Sequence, residues 1–225
     1  LNDRLIRYPL DIEQRVVQFA RKRLLLIGHG HSAANTILAL HKLLQPEPEA
    51  KLFWAVRSDR LRPIAEVPGD VLPERAKVVT GANDLAQNPP SYLRVLRRAT
   101  LEALQQVSAA TPSEKTPIKA SLRVGKATEE IEVDEIFALT GYRPNLEILR
   151  ETTAEISNIT EGARGLYKAL SNITDCLAKI EIHPKDLQSG EQNFFIVGVK
   201  SYGRNPGFLL RSGLEQLDRI FASLP

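Results

Sequence analysis

One short stretch near the start of the chain decides the fold. It reads Leu24-Leu25-Leu26-Ile27-Gly28-His29-Gly30-His31-Ser32-Ala33-Ala34. The brief apolar run is typical of a strand buried on both faces of a parallel sheet. Apolar residues at helical spacing follow the glycines as far as Leu44, and a second apolar run occupies residues 51–56. Strand, helix and strand make a βαβ unit of about 30 residues. The stretch therefore predicts a Rossmann-like parallel sheet of the α/β class, with helices on both faces.

The turn between the first strand and its helix has the glycine pattern of a dinucleotide-binding site. Gly28 permits the tight turn, Gly30 lets the backbone approach a diphosphate, and Ala33 stands where the pattern accepts alanine for its third glycine. The amides at the start of the following helix attract phosphate. We therefore predict that a dinucleotide contacts Gly28, His29, Gly30, His31, Ser32 and Ala33. The alternative is a tight turn that binds nothing.

The end of the second strand bears on which dinucleotide binds. It reads Trp54-Ala55-Val56-Arg57-Ser58-Asp59-Arg60. An NAD site usually has an acidic residue there for the ribose, whereas arginine accommodates the 2′-phosphate of NADP. Arg57 occupies that place, and Ser58 and Arg60 can add contacts, so the pattern favours NADPH. Asp59 keeps NADH open as the alternative, if the register shifts by two residues.

The rest of the chain shows weaker patterns. Residues 1–20 suggest a short helix or arm leading into the sheet, and residues 77–80 a short strand. Apolar residues from Leu93 to Val107 are spaced as in a helix. Alternating residues on both sides of Gly125-Lys126 predict a small antiparallel β element. Buried strands are predicted at 135–140 and 194–197, and a closing helix at 208–224.

Composition narrows the class of protein. The 225 residues are 43% hydrophobic, carry a net charge of only +3 and include one cysteine, Cys176. A globular, soluble and cytoplasmic protein is expected, with neither nucleic acid nor a membrane as partner. We predict no metal site, because neither cysteine nor a close carboxylate accompanies His29, His31 and His41. A small-molecule substrate or oxygen is the expected reaction partner, and the oligomeric state stays open.

Three separated segments together resemble the FAD-dependent pyridine-nucleotide oxidoreductases, a group that includes flavin monooxygenase-like enzymes. They are residues 25–35, residues 133–145 with their Ala-Leu-Thr-Gly-Tyr-Arg-Pro run, and residues 194–204. The resemblance implies that residues 21–145 form an NAD(P)H-binding Rossmann domain and residues 146–225 a C-terminal remnant of an FAD-binding domain. NADPH and FAD are then the expected cofactors, and hydride would pass from NADPH to flavin and on to oxygen or another acceptor.

The resemblance also implies roles for two further groups of residues. The segment expected where the two domains join comprises Thr140, Gly141, Tyr142, Arg143 and Pro144. The segment expected against FAD comprises Gly198, Val199, Lys200, Ser201 and Tyr202.

The sequence departs from the family pattern in three ways. The N-terminal FAD fingerprint is absent ahead of Leu1, and Val199 stands where the family has an aspartate that bonds the flavin ribityl chain. No Cys-x-x-Cys pair is present, which argues against the disulfide-reductase branch. Two alternatives therefore stay open: a non-catalytic NADP(H)-binding module used for sensing or assembly, and a Rossmann-like interaction domain with an empty fingerprint.

Overall fold

A computed structural model describes residues 1–47, 49–106, 116–171, 182–191 and 193–224. The chain divides into two compact units, Leu1–Thr140 and Gly141–Pro225. Among the described residues, no helix is both long and apolar enough to cross a membrane.

The first unit is built on a five-stranded parallel sheet. Its strands are β1 (Leu5–Ile6), β2 (Arg23–Ile27), β3 (Lys51–Ala55), β4 (Leu93–Leu96) and β8 (Glu135–Ala138), in the order β1-β8-β2-β3-β4. β2 is the central strand, and its Leu26 pairs with Trp54 of β3 and Phe137 of β8. The segment before residue 20 thus contributes an edge strand, together with the short helix α1 (Val16–Phe19).

Two long helices share a core with one side of this sheet. They are α2 (His31–Leu44) and α3 (Pro73–Gln87), and their core includes Leu24, Leu26 and Trp54. The strand predicted at residues 77–80 is wrong, because these residues lie inside α3. Its buried residues Val79, Ala82 and Ala86 recur at helical spacing, and Pro73 at the first position favours helix initiation.

A three-stranded antiparallel sheet packs against the other side. Its strands are β5 (Ala99–Gln106), β6 (Ile118–Val124) and β7 (Ala127–Val133), and its core includes Leu25, Ala55 and Ile136 of the parallel sheet. The Rossmann-like α/β class and the small antiparallel element are confirmed. The prediction of helices on both faces is corrected on this side, where the second sheet buries the apolar residues.

The helix predicted over residues 93–107 is also wrong. Residues 93–96 form β4 and residues 99–106 form β5, while Val107 lies outside the described residues. Arg98, with a φ of +53°, makes the turn between the two strands. The apolar residues that suggested a helical stripe belong to two strands in different sheets.

The second unit is formed by helices and irregular loops. Its helices are α4 (Arg164–Leu170), α5 (Pro184–Leu187), α6 (Val199–Tyr202) and α7 (Leu210–Ser223), and their core includes Leu166, Leu187 and Ile220. The closing helix is confirmed as α7. The predicted strand at 194–197 is wrong, since only Phe195 forms an isolated bridge, with Gln188. Cys176 lies outside the described residues.

Candidate functional site

The turn after β2 is fixed by the backbone of the neighbouring strands. Gly28 has a φ of +126°, and a Cβ placed on it would lie 2.2 Å from the carbonyl oxygen of Leu139. Its N–H donates to the carbonyl of Ala55 at 3.1 Å, and its own carbonyl accepts the indole N–H of Trp54 at 2.8 Å. Only glycine combines this conformation with this close approach. The turn is therefore rigid and needs Gly28.

The start of α2 faces open space. Gly30 is the N-cap residue, and no side chain of the described residues caps the helix. No heavy atom of the described residues lies within 4 Å of the position that a Cβ on Gly30 would take. The first amides of a helix lack intrahelical partners, and the helix dipole is positive at this end. Because the first turn of α2 has no acidic residue, the turn is chemically suited to an anion such as a diphosphate.

Arg57 brings a positive charge to the same edge of the sheet. It follows β3, which lies beside β2, and its side chain is exposed without an ion pair among the described residues. Burial is the larger cause of the lowered pKa of His29, and the nearby charge of Arg57 lowers it further. The structure thus brings Arg57 and the glycine turn together. Ser58 and Arg60 follow in the same loop, where the Ser58 hydroxyl accepts the Arg60 N–H at 3.1 Å.

The Asp59 side chain is hydrogen-bonded to another residue of the first unit. Its carboxylate accepts a hydrogen bond from Arg98 at 3.2 Å, and this bond is the main cause of its lowered pKa. Both side chains are largely exposed, so the pair is weak. Asp59 is nonetheless engaged where Arg57 is not, which favours the NADPH interpretation.

Arg97 holds the loop that carries these residues, and our sequence analysis missed it. Its guanidinium donates to the carbonyls of Arg60, Leu61 and Ala86 at 3.1, 3.2 and 2.7 Å. It thereby joins the loop after β3 to the end of α3. The signal that could have revealed it is an arginine pair placed directly between two apolar strands.

A small cavity lies beside the start of α2. Its volume is about 110 Å³, and His31, Val67, Asp70 and Thr80 are among its lining residues. Asp70 is nearly buried and pairs with Arg75 at 2.7 Å. Ligand pockets usually enclose about 300 Å³ or more. This cavity alone is therefore too small to enclose a dinucleotide.

The protonation of His29 makes the stability of the folded protein depend on pH. The pKa of its imidazole is below the ordinary 6.5 in the folded protein. The unfolded chain then binds the extra proton more readily, so the folded protein loses stability as pH falls from about 6.5 towards the lower pKa of the folded state. We expect Arg57→Ala to raise the pKa of His29 only part of the way, because burial is the larger cause. NMR titration of the ring protons measures both values, and an unchanged pKa in the variant would contradict the electrostatic influence of Arg57 on His29.

The segment implied to lie at the domain junction spans the division between the two units. Thr140 ends the first unit, just after β8 and at the same sheet edge as the glycine turn. Gly141 has a φ of +89° and Tyr142 is 72% exposed. Arg143 pairs with Glu161 at 2.7 Å within the second unit. Their roles, and that of Pro144, stay predictions.

In the segment implied to contact FAD, the polar side chains are either buried or already hydrogen-bonded within the protein. Gly198 has a φ of +67°, nothing within 4 Å occupies its Cβ position, and Val199 is exposed. The Lys200 ammonium donates to the carbonyl of Asn145, while Ser201 and Tyr202 are each 1% exposed. The open space at the Cβ position of Gly198 leaves room for a flavin to come close to the chain. No carboxylate stands at Val199 to bond its ribityl chain.

Comparison with known proteins shows the fold. No family model matches the chain, and no curated protein matches it. Bacillithiol disulfide reductase from Bacillus cereus aligns with a TM-score of 0.61 at 17% identity, over 92% of this chain and 50% of that chain. The Staphylococcus aureus enzyme gives 0.58 at 15%, over 92% and 51%. Thioredoxin reductase from T. acidophilum gives 0.55 at 12%, over 100% and 57%.

These similarities confirm the family resemblance at the level of the fold. The structures are those of two bacillithiol disulfide reductases and a thioredoxin reductase, and the chain spans about half of their length. Two of them are named for reducing disulfides, whereas this chain has a single cysteine and thus no pair of thiols of its own.

Proposed function

We propose that this chain is the NADPH-binding portion of a flavin-dependent oxidoreductase. The observation that carries the proposal is the rigid Gly28 turn, which leads into an uncapped helix start with Arg57 beside it. NADPH would supply hydride, and a bound FAD would accept it and pass electrons to oxygen or another small-molecule acceptor. The part of this chain is to hold the cofactors in place.

In the first unit, each group has a distinct task in binding. The amides of Gly30, His31 and Ser32 would donate to the diphosphate, which the missing Cβ of Gly30 allows to approach closely. The planar guanidinium of Arg57 suits the 2′-phosphate, with Ser58 and Arg60 close by in the loop. Arg97 acts indirectly, because it fixes the backbone of that loop.

The second unit fits the remnant of an FAD-binding domain. Besides the open Gly198 turn, its helix α7 bears five exposed apolar side chains at alternating spacings of four and three residues: Leu210, Leu214, Leu217, Phe221 and Leu224, the last just beyond the helix end. A continuous apolar stripe of this kind marks a surface that packs against another apolar surface. We propose that this surface belongs to the remainder of a flavin-binding domain.

Adding FAD and then NADPH to the purified chain tests the proposal. We expect yellow protein after removal of unbound flavin, and NADPH oxidation that depends on the flavin. Colourless protein that still binds NADPH would favour the alternative, a non-catalytic NADP(H)-binding module for sensing or assembly. The apolar Val199 is the observation that favours this alternative. Binding of neither NADPH nor NADH would favour an interaction domain with an empty fingerprint.

Val199→Asp tests whether the Gly198 turn lies against flavin. The change would restore the carboxylate that the family resemblance implies at this position, and a charge-assisted hydrogen bond contributes about 1.5–3 kcal/mol. We expect FAD to bind at least about tenfold more tightly, measured by quenching of flavin fluorescence. The control Val199→Thr keeps the side-chain shape and should change affinity little. Equal affinities for Val199→Asp and the original chain would count against flavin contact at this turn.

A further inference from the structure

Gln216 lies at the centre of a buried polar network that our sequence analysis did not reveal. It belongs to α7 and is 1% exposed. Its side-chain oxygen accepts the N–H of Gly198 at 2.8 Å, and its side-chain nitrogen donates to the Ser201 hydroxyl at 3.0 Å. That hydroxyl donates in turn to the carbonyl of Gly198 at 2.7 Å. The three hydrogen bonds form a closed ring around one glycine.

The network controls the conformation of the turn that bears Val199. Gly198 has a positive φ, and both of its backbone polar groups are used within the ring. No atom in the described part of the chain occupies its Cβ position, so the described residues do not hold the turn in place by packing against it. Its geometry instead depends on hydrogen bonds: the backbone N–H of Ser201 donates to its carbonyl at 3.1 Å, and Gln216, 18 residues further along the chain, accepts its N–H.

We propose that Gln216 is a positioning residue for flavin, which fixes the Gly198 turn in its binding conformation before the cofactor arrives. This inference rests on the proposed function. Preorganisation of a loop improves affinity because the ordering cost is not incurred on binding. Gln216 need not touch the flavin, since it acts through the backbone of Gly198.

Only a carboxamide meets both demands of this position. It accepts from one partner and donates to the other at the same time. A carboxylate still accepts the Gly198 N–H but cannot donate to Ser201, and leucine does neither. Leucine leaves the buried Gly198 N–H without an acceptor. Glutamate puts a carboxylate charge at a buried position, where it faces the Ser201 oxygen with no proton to donate. Both changes are costly, so the turn is expected to shift in both variants.

Gln216→Glu and Gln216→Leu in the full chain test the proposal, with Glu215→Gln as the matched control. Glu215 is the preceding residue, exposed and outside the network. In protein without flavin, we expect hydrogen exchange at the Gly198 amide to accelerate at least tenfold in Gln216→Leu, which removes the acceptor of this amide, and by a smaller factor in Gln216→Glu, which retains it. FAD affinity should fall at least tenfold, while NADPH affinity stays within twofold. The control should leave all three values unchanged.

The outcomes separate this inference from the proposed function. Unchanged exchange at Gly198, or accelerated exchange with unchanged FAD affinity, would overturn the positioning role. If the original chain binds no FAD, the proposed flavin function fails, and with it the role toward flavin, while the exchange data still decide whether Gln216 fixes the turn. If the Gln216 variants do not fold, Ser201→Ala serves instead, because it removes two bonds of the ring and keeps the one to the Gly198 N–H.

Discussion

Gly28→Ala is expected to destabilise the first unit by about 3 kcal/mol or more, the largest effect of any single change considered. The new Cβ would meet the Leu139 carbonyl oxygen at 2.2 Å, in a backbone conformation that alanine rarely adopts. Neither neighbour can yield, because the turn is bonded to β3 and Leu139 donates its N–H to the carbonyl of Ile27. Urea denaturation followed by circular dichroism measures the loss.

Gly30→Ala is the matched control for this change. The residue has an ordinary φ of −93°, and a Cβ on it meets nothing within 4 Å. Its stability should therefore stay within about 1 kcal/mol of the original. NADPH binding should nevertheless weaken, since the added methyl group occupies the space that a diphosphate needs. Equal stability losses in the two variants would contradict the structure of the turn.

Arg57→Ala is expected to weaken NADPH binding by about 1–3 kcal/mol and to leave NADH binding nearly unchanged. The reason is that the two cofactors differ only in the 2′-phosphate, which the guanidinium would contact. Calorimetric titration with both cofactors measures the difference. Because the contact is between charged groups near the surface, the difference should shrink as salt is added.

Asp59→Asn tests the alternative in which Asp59 binds the ribose of NADH. If Asp59 were the ribose ligand of an NAD site, this variant would weaken NADH binding most. We expect little change in either affinity, since the carboxylate is engaged with Arg98.

For Arg57→Ala, equal losses of affinity for NADPH and NADH would rule out the contact of Arg57 with the 2′-phosphate.

The first βαβ unit could be predicted because its local signals agree. An apolar run, two glycines and a helical stripe point to the same structure within 30 residues. The same clarity is lacking at residues 77–80, where the consecutive β-branched residues Val78, Val79 and Thr80 mimic a strand inside α3. It is also lacking after Leu93, where two short strands in different sheets together imitate the spacing of one helix. Tertiary packing settles such segments, and spacing alone does not.

In the candidate site, likewise, the features set by neighbouring residues could be predicted, and the features set by tertiary packing could not. The turn and Arg57 could be predicted together, because the carboxyl ends of adjacent parallel strands meet at one sheet edge. The burial of Ser201 and Tyr202 could not, and neither could the bond from Gln216 to Gly198. These features arise from packing of α7 against a loop, for which the sequence contains no periodic signal.

Titration of ¹⁵N-labelled protein with NADPH tests the central claim most directly. We expect saturable binding in which the amide signals of Gly30, His31, Ser32 and Ala33 shift most, because the diphosphate takes hydrogen bonds from this turn. In Gly30→Ala the same shifts should require a higher NADPH concentration. Saturable binding that leaves these four signals unmoved, or no binding at all, would contradict it.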